Sequence, residues 1–291
     1  MIETTLAELA DRFDVFLLDQ FGVLLDGTGA YEKAPDALAT LANRGKKIGI
    51  ISNSGKRAAP NAARLEQKGF DLKNICTLIS SGEAAHAILS GLIGTGLIGA
   101  GWIGAGWIGE RLQRNAKVLI LSRDNDLSCI EGLDLVPIDV PEQADLILIS
   151  GSKGDVMTLS DYAETLKPAA ARQIPALCTN PDMTMLTEQG TAFGAGSIAR
   201  LYRELGGEVD AIGKPHPLIY QVAADRLGIS DPARVLCVGD SPAHDIRGGH
   251  AAGYSTALVR TGIHADAQLT DLIATLPHCE RPDYVIPGFV F

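Results

Sequence analysis

Three short apolar runs in this chain each stop at a polar side chain: VFLLD at Asp19, IGIIS at Ser52 and VLCVGD at Asp240. Short apolar runs bounded by glycine-bearing loops read as strands buried on both faces. Between the first two runs lie a loop, residues 20–34, and a helix-like stretch from Pro35 to Arg44 that Gly45 stops. After the third, SPAHDIRGGHAAG reads as a loop and a helix leading into a further strand, STALVR. Strand and helix in alternation imply right-handed crossovers and parallel strands, with the polar strand ends gathered on one sheet edge. The fold class expected is α/β with a parallel-sheet core.

The middle of the chain carries its own strand candidates, KVLILS, DLILIS and IPALCT, and a helical segment from Leu159 to Ala171. This pattern predicts a smaller α/β domain, residues 111–208, inserted into a core made of residues 1–85 and 209–291. The connecting stretch, residues 86–110, contains four tandem five-residue units: GLIGT, GLIGA, GWIGA and GWIGE. A five-residue period gives neither a helix nor a strand one apolar face, so a linker is expected. Its overlapping G-x-G-x-x-G matches, such as Gly94/Gly96/Gly99, lack a preceding strand, because SSGEAAHAILS reads as a helix capped by Ser81 with Glu83 in its first turn. A dinucleotide-binding oxidoreductase stays open as an alternative on this repeat. The uncharged run 87–109 is long enough for a span of ~20 residues, but its glycines and the lack of flanking basic residues argue against one.

Composition narrows the partners. Lys and Arg total 25 against 35 Asp and Glu, a net charge of −10 over 291 residues. That field repels polyphosphate backbones, so no nucleic acid partner is expected, and a small anion needs a metal ion or local cations to enter. The five cysteines are odd in number and never spaced C-x-x-C, which suits reduced, buried thiols. The opening MIETTLAELADRFD reads as a short helix without a basic region followed by an apolar one. The expectation is a cytoplasmic protein with no membrane segment.

The polar strand ends form a chemical set: Asp19, Ser52, Lys214 in GKPHPLIY, and Asp240 with Asp245 in GDSPAHDI. Clustered carboxylates stay ionised together only when a cation compensates them, and all-oxygen ligation suits Mg²⁺. Such a site, with Lys214 and the Ser52 hydroxyl, would attract a phosphate, and a carboxylate can then act as nucleophile. His216, His244 and His250 have no ligand spacing on one helix face, and none is assigned a role.

In order and wording these pieces resemble the haloacid dehalogenase-like phosphohydrolase superfamily, and specifically its subgroup with a large cap inserted between the second and third motifs. NPD at Asn180 to Asp182 and GAGSIA at Gly194 to Ala199 echo that cap's return segment. The resemblance implies a Rossmann-like core with an inserted smaller α/β cap. It also implies Mg²⁺ as cofactor, a small phosphorylated metabolite as partner, and cap contacts that can build a homodimer. By position, Asp19 matches the family nucleophile and metal ligand, Ser52 the phosphoryl-binding hydroxyl, and Lys214 the charge-neutralising lysine. Asp240, Asp245 and the Phe21 carbonyl match the remaining metal ligands, and Gln20, Phe21 and Asn53 are expected beside the substrate.

One position departs from the family pattern. The phosphatases read D-x-D, and their second aspartate exchanges a proton with the leaving group; here that residue is Phe21. General acid–base help is worth ~10²–10⁴-fold in rate. The expectation is therefore a Mg²⁺-dependent hydrolase of small phosphate monoesters, slowed or served by another donor such as Asp26 or a cap residue. The alternative is a phosphate-binding or regulatory protein with little turnover.

Overall fold

The computed structural model describes residues 1–92 and 112–291, which build two parallel sheets and one hairpin. The larger sheet has seven strands in the order β1-β14-β13-β12-β2-β3-β4. They are β1 (Ile2–Glu3), β2 (Val15–Leu18), β3 (Lys47–Ser52), β4 (Thr77–Ser80), β12 (Val235–Gly239), β13 (Ser255–Val259) and β14 (Tyr284–Ile286). All of its pairings are parallel. β2 is the hinge of the topology. From it the chain steps outward to β3 and β4 on one side, and the C-terminal strands step outward from β12 on the other.

Burial on both faces explains why these runs are apolar throughout rather than alternating. Phe16 and Leu18 of β2 pack with Leu38, Ile48, Ile50 and Val238 on one face. Val15 and Leu17 pack with Ile51, Ile219, Tyr220 and Cys237 on the other. Register fixes the functional edge. Leu18 lies opposite both Ile50 and Val238, so the residues that follow β2, β3 and β12 leave the sheet side by side.

The smaller sheet has the order β11-β8-β7-β5-β6 and is also parallel. Its strands are β5 (Ala116–Leu121), β6 (Leu135–Ile138), β7 (Leu146–Ile149), β8 (Ala176–Cys178) and β11 (Val209–Ala211), and β9 (Thr184–Thr187) with β10 (Gly190–Phe193) forms the antiparallel hairpin. Tyr162 and Leu166 of the helix Leu159–Ala171 cover one face together with Ile198 and Tyr202. Ala84, Ala85 and Leu89 of the helix Ser81–Leu92 cover the other.

Several expectations need correction. β11 belongs to the small sheet, because Val209 pairs with Ala176, so the chain returns toward the large sheet only after Ala211. The helix expected at SSGEAAHAILS is present as Ser81–Leu92, so the linker does not begin at residue 86: Ile88 and Leu89 still pack on the small sheet. The cap of this helix is Ser80 rather than Ser81: the Ser80 hydroxyl accepts the Glu83 N–H at 3.0 Å. The remaining repeat, with its G-x-G-x-x-G matches, lies outside the described residues. All five cysteines are free, but Cys76 and Cys279 are exposed, against the expectation that all are buried. No helix among the described residues is long and apolar enough to cross a membrane.

Glu83 joins the helix Ala58–Gln67 to the helix Ser81–Leu92. Its carboxylate accepts Arg57 Nε at 3.0 Å, Arg57 Nη2 at 3.1 Å and the Ala58 N–H at 3.2 Å. The Arg57 hydrogen bonds hold its pKa below the ordinary 4.5 against the opposing effect of burial. Because Arg57 and Glu83 keep 31% and 21% of their side chains exposed, Glu83→Gln should cost only about 1 kcal/mol near neutral pH. A depressed carboxylate stabilises the fold above its unfolded pKa, so in urea denaturation the gap between variant and parent should close as pH falls below 4.5.

Candidate active site

Asp19, Ser52 and Asp240 emerge from the carboxyl ends of three adjacent strands at the point where strand order reverses, the position at which open α/β sheets keep their ligand crevice. Asp245 joins them from the π-helical turn Pro242–Ile246 that follows β12. Lys214 enters from the segment after β11. Its Nζ lies 2.6 Å from Asp19 Oδ1 and 2.7 Å from Asp245 Oδ1, and only 3% of its side chain is exposed. Asp19, Asp240 and Asp245 each offer an oxygen within 4.8 Å of the others.

Glycines make this convergence sterically allowed. Gly22 and Gly262 both have positive φ, 86° and 76°, and a Cβ on either would fall 2.1 Å and 1.9 Å from Asp240 Oδ2. Backbone groups complete the hold: the Ile263 N–H donates to Asp240 Oδ2 at 2.9 Å and the Ser241 N–H to Asp245 Oδ2 at 3.1 Å.

Electrostatically the cluster is unbalanced. Three carboxylates face one ammonium. Burial raises the Asp19 pKa to about 7, with Lys214 pulling it down and Asp245 pushing it up. Burial, then the charges of Asp19 and Asp245, lift Asp240 well above the carboxylate range. On Lys214 the two aspartates outweigh burial and keep the amine charged. Oxygen donors this close, with negative charge in excess of the one lysine, fit a divalent cation of the Mg²⁺ class.

The other expected residues divide. Ser52 lines the cavity, its Oγ accepting the Ser54 N–H at 3.2 Å. Asn53 also reaches the cavity, but its amide is spent on positioning. Its Oδ1 accepts the Lys214 N–H at 2.6 Å, and its Nδ2 donates to the Lys214 carbonyl at 3.1 Å and to Asp182 Oδ1 at 2.7 Å. Gly213, with φ 116°, permits this approach, since a Cβ there would sit 2.6 Å from Asn53 Oδ1. Gln20 does not face substrate. It is fully buried, is absent from the cavity wall, and its amide atoms find no partner among the described residues. Its backbone N–H instead donates to Asp19 Oδ1 at 2.7 Å.

Phe21 lines the cavity with its ring under the guanidinium of Arg64, 5.5 Å from carbon to centroid. Asp26 is tied into a turn by the Thr28 N–H, the Thr28 hydroxyl and the Gly29 N–H. Those bonds outweigh burial and hold its pKa below the ordinary value, which suits an anion and not a proton donor.

Asp182, His244 and Arg64, all outside the assigned set, also line the cavity. Asp182, between β8 and β9, accepts from Asn53 and sits 2.9 Å from His244 Nδ1. Burial opposes the ionised form of each, but the hydrogen bond between them prevails, lowering the Asp182 pKa and raising that of His244. Nothing in the spacing of NPD shows that this loop folds back over β3. Arg64 is likewise an ordinary helical arginine until the ring beneath it is seen.

Residues 16–135 match the family described as haloacid dehalogenase-like hydrolase, and residues 211–290 match one described as HAD-hydrolase-like. The chain belongs to the haloacid dehalogenase-like hydrolases. It is 28% identical to human chronophin over 97% of its own length and 92% of that protein's. A haloacid dehalogenase-like hydrolase from Brucella suis shares the fold over the whole of both chains, at TM-score 0.80 and 24% identity. Glycerol phosphate phosphatase from Mycobacterium tuberculosis, solved in complex with magnesium, aligns with 97% of this chain and 77% of its own at TM-score 0.69 and 24% identity. Its calcium complex aligns at TM-score 0.68 and 25% identity, over 97% and 75% of the two chains. The expected Rossmann-like core is thus the family's own.

Outer-sphere disturbance of a metal ligand typically costs ~10–100-fold in affinity. Gly262→Ala, which drives a methyl group into Asp240, should weaken Mg²⁺ binding by about that factor in titration calorimetry while far-UV circular dichroism stays unchanged.

Proposed function

We infer that the chain is a Mg²⁺-dependent hydrolase of small phosphate monoesters that works through an aspartyl phosphate on Asp19. The observation that carries this reading is the Asp19 carboxylate, bonded to Lys214 and grouped with Asp240 and Asp245, at the wall of a cavity of about 840 Å³. Asp19, Asp240, Asp245 and the Phe21 carbonyl would hold the ion, which when bound supplies positive charge against the phosphoryl oxygens.

The protein's own groups do the rest. Lys214 and the Ser52 hydroxyl bind the phosphoryl oxygens, and Lys214 favours the ionised form of Asp19 through its 2.6 Å contact, against the burial that opposes it. An Asp19 carboxylate oxygen attacks phosphorus, the bond from phosphorus to the ester oxygen breaks, and the electron pair leaves with that oxygen. Water then cleaves the acyl phosphate, returning Asp19 and inorganic phosphate. Asn53 keeps Lys214 in register by holding both its N–H and its carbonyl.

Phe21 shapes the kinetics. A phenyl ring gives no proton to the leaving oxygen, and Asp26 is held as an anion, so esters of acidic alcohols should react fastest. The same feature favours a second reading, in which the site binds a phosphate ligand with little turnover. A panel of esters with Mg²⁺ separates them. Sustained phosphate release that vanishes in Asp19→Asn supports the hydrolase, and tight binding without release supports the binder. Phe21→Asp should raise kcat for alkyl phosphates by roughly 10²-fold and leave p-nitrophenyl phosphate nearly unchanged, because only the poor leaving group needs the proton.

A further inference from the structure

The cavity wall carries a cation that no carboxylate neutralises at contact. Lys214 is bound by Asp19 and Asp245, Lys56 lies 3.1 Å from Asp124, and Arg123 lies 2.6 Å from Asp155. The Arg64 side chain makes no ion pair and no hydrogen bond among the described residues; its guanidinium lies over the face of Phe21. The acids whose charge reaches it, Asp124 and Asp126, are engaged elsewhere: Asp124 with Lys56, and Asp126 as acceptor of the Ser128 hydroxyl at 2.8 Å.

Phe21 and Arg64 make sense as one unit. An aromatic face holds a cation through its quadrupole and leaves the N–H groups free. Gln67 and Lys68 follow at i+3 and i+4 on the helix and line the same cavity, so this wall is polar and cationic next to the position the leaving group must occupy. Guanidinium matches carboxylate and phosphate geometry in a bidentate fork.

We propose that Arg64, stacked on Phe21, binds a second anionic group of the substrate, a carboxylate or a second phosphate carried on the leaving group. The proposal rests on the phosphate-monoester reading of the site and names the class of ester it takes. A substrate of this kind brings its own charge to Arg64 and is positioned by it.

The test is binding of three non-hydrolysable probes in the presence of Mg²⁺, followed by calorimetry: propylphosphonate, 3-phosphonopropionate and propane-1,3-bisphosphonate. The full chain should bind at least one doubly anionic probe about tenfold or more tighter than propylphosphonate, and in Arg64→Gln that ratio should fall to about one. Which of the two is preferred tells carboxylate from phosphate. Phe21→Leu, which keeps bulk but removes the aromatic face, should lower the ratio in part. Equal affinities in the parent chain, a ratio that Arg64→Gln leaves standing, or no binding of any probe would overturn the proposal. Turnover separates the two readings: an intact ratio with no ester hydrolysed defeats the hydrolase and leaves the Arg64 site in place.

Discussion

Three carboxylates share a buried pocket with a single ammonium, and the rest of the large sheet serves that arrangement. Burial makes the cluster costly, as the upward shifts of Asp19 and Asp240 record, and Lys214 offsets only one of the three charges. Such a group persists because the backbone leaves it nowhere else to go. Asp240 is fixed between two glycines and the Ile263 N–H, and Asp245 is fixed by the Ser241 N–H over the vacant face of Gly239. The excess charge is what gives the site its appetite for a divalent ion, and the ion's charge is what lets an acidic protein accept a phosphate.

The core of this arrangement is legible along the chain because it obeys local rules. Short apolar runs ending in Asp19, Ser52 and Asp240 give both the strands and the edge on which they meet, since a parallel sheet aligns its carboxyl ends. What the sequence withholds is contact at a distance. Asn53 reads as a loop former beside a substrate, and only the fold shows its amide fully used on Lys214 and Asp182. Gln20 looks available beside Asp19, yet the bend after β2 carries it into the interior. The weakest strands, β1 with two residues and β14 with three, lack a pattern long enough to read, and β11 was assigned to the wrong side of the return crossing for the same reason.

Phe21 illustrates how a departure from a family pattern changes meaning once its neighbours are known. Alone it is a loss, a proton donor replaced by hydrocarbon. With Arg64 on its face it becomes a support for a cation at the cavity wall. The clasp of Asn53, Asp182 and His244 adds a related dependence, because the loop after β8 is bonded to the same amide that sets Lys214. Movement of that loop is therefore transmitted to Lys214 and, through its ammonium, to Asp19.

The position of β2 between β3 and β12 has a consequence for biosynthesis. As the nascent polypeptide leaves the ribosome, the lysine and the acids that surround Asp19 arrive more than 190 residues after it. The five-stranded sheet is complete in the interim and can collapse on its own apolar surfaces while one flank of β2 waits open. Synthesis thus separates assembly of the small sheet from assembly of the charged centre, which needs Lys214, Asp240 and Asp245 as well as Asp19.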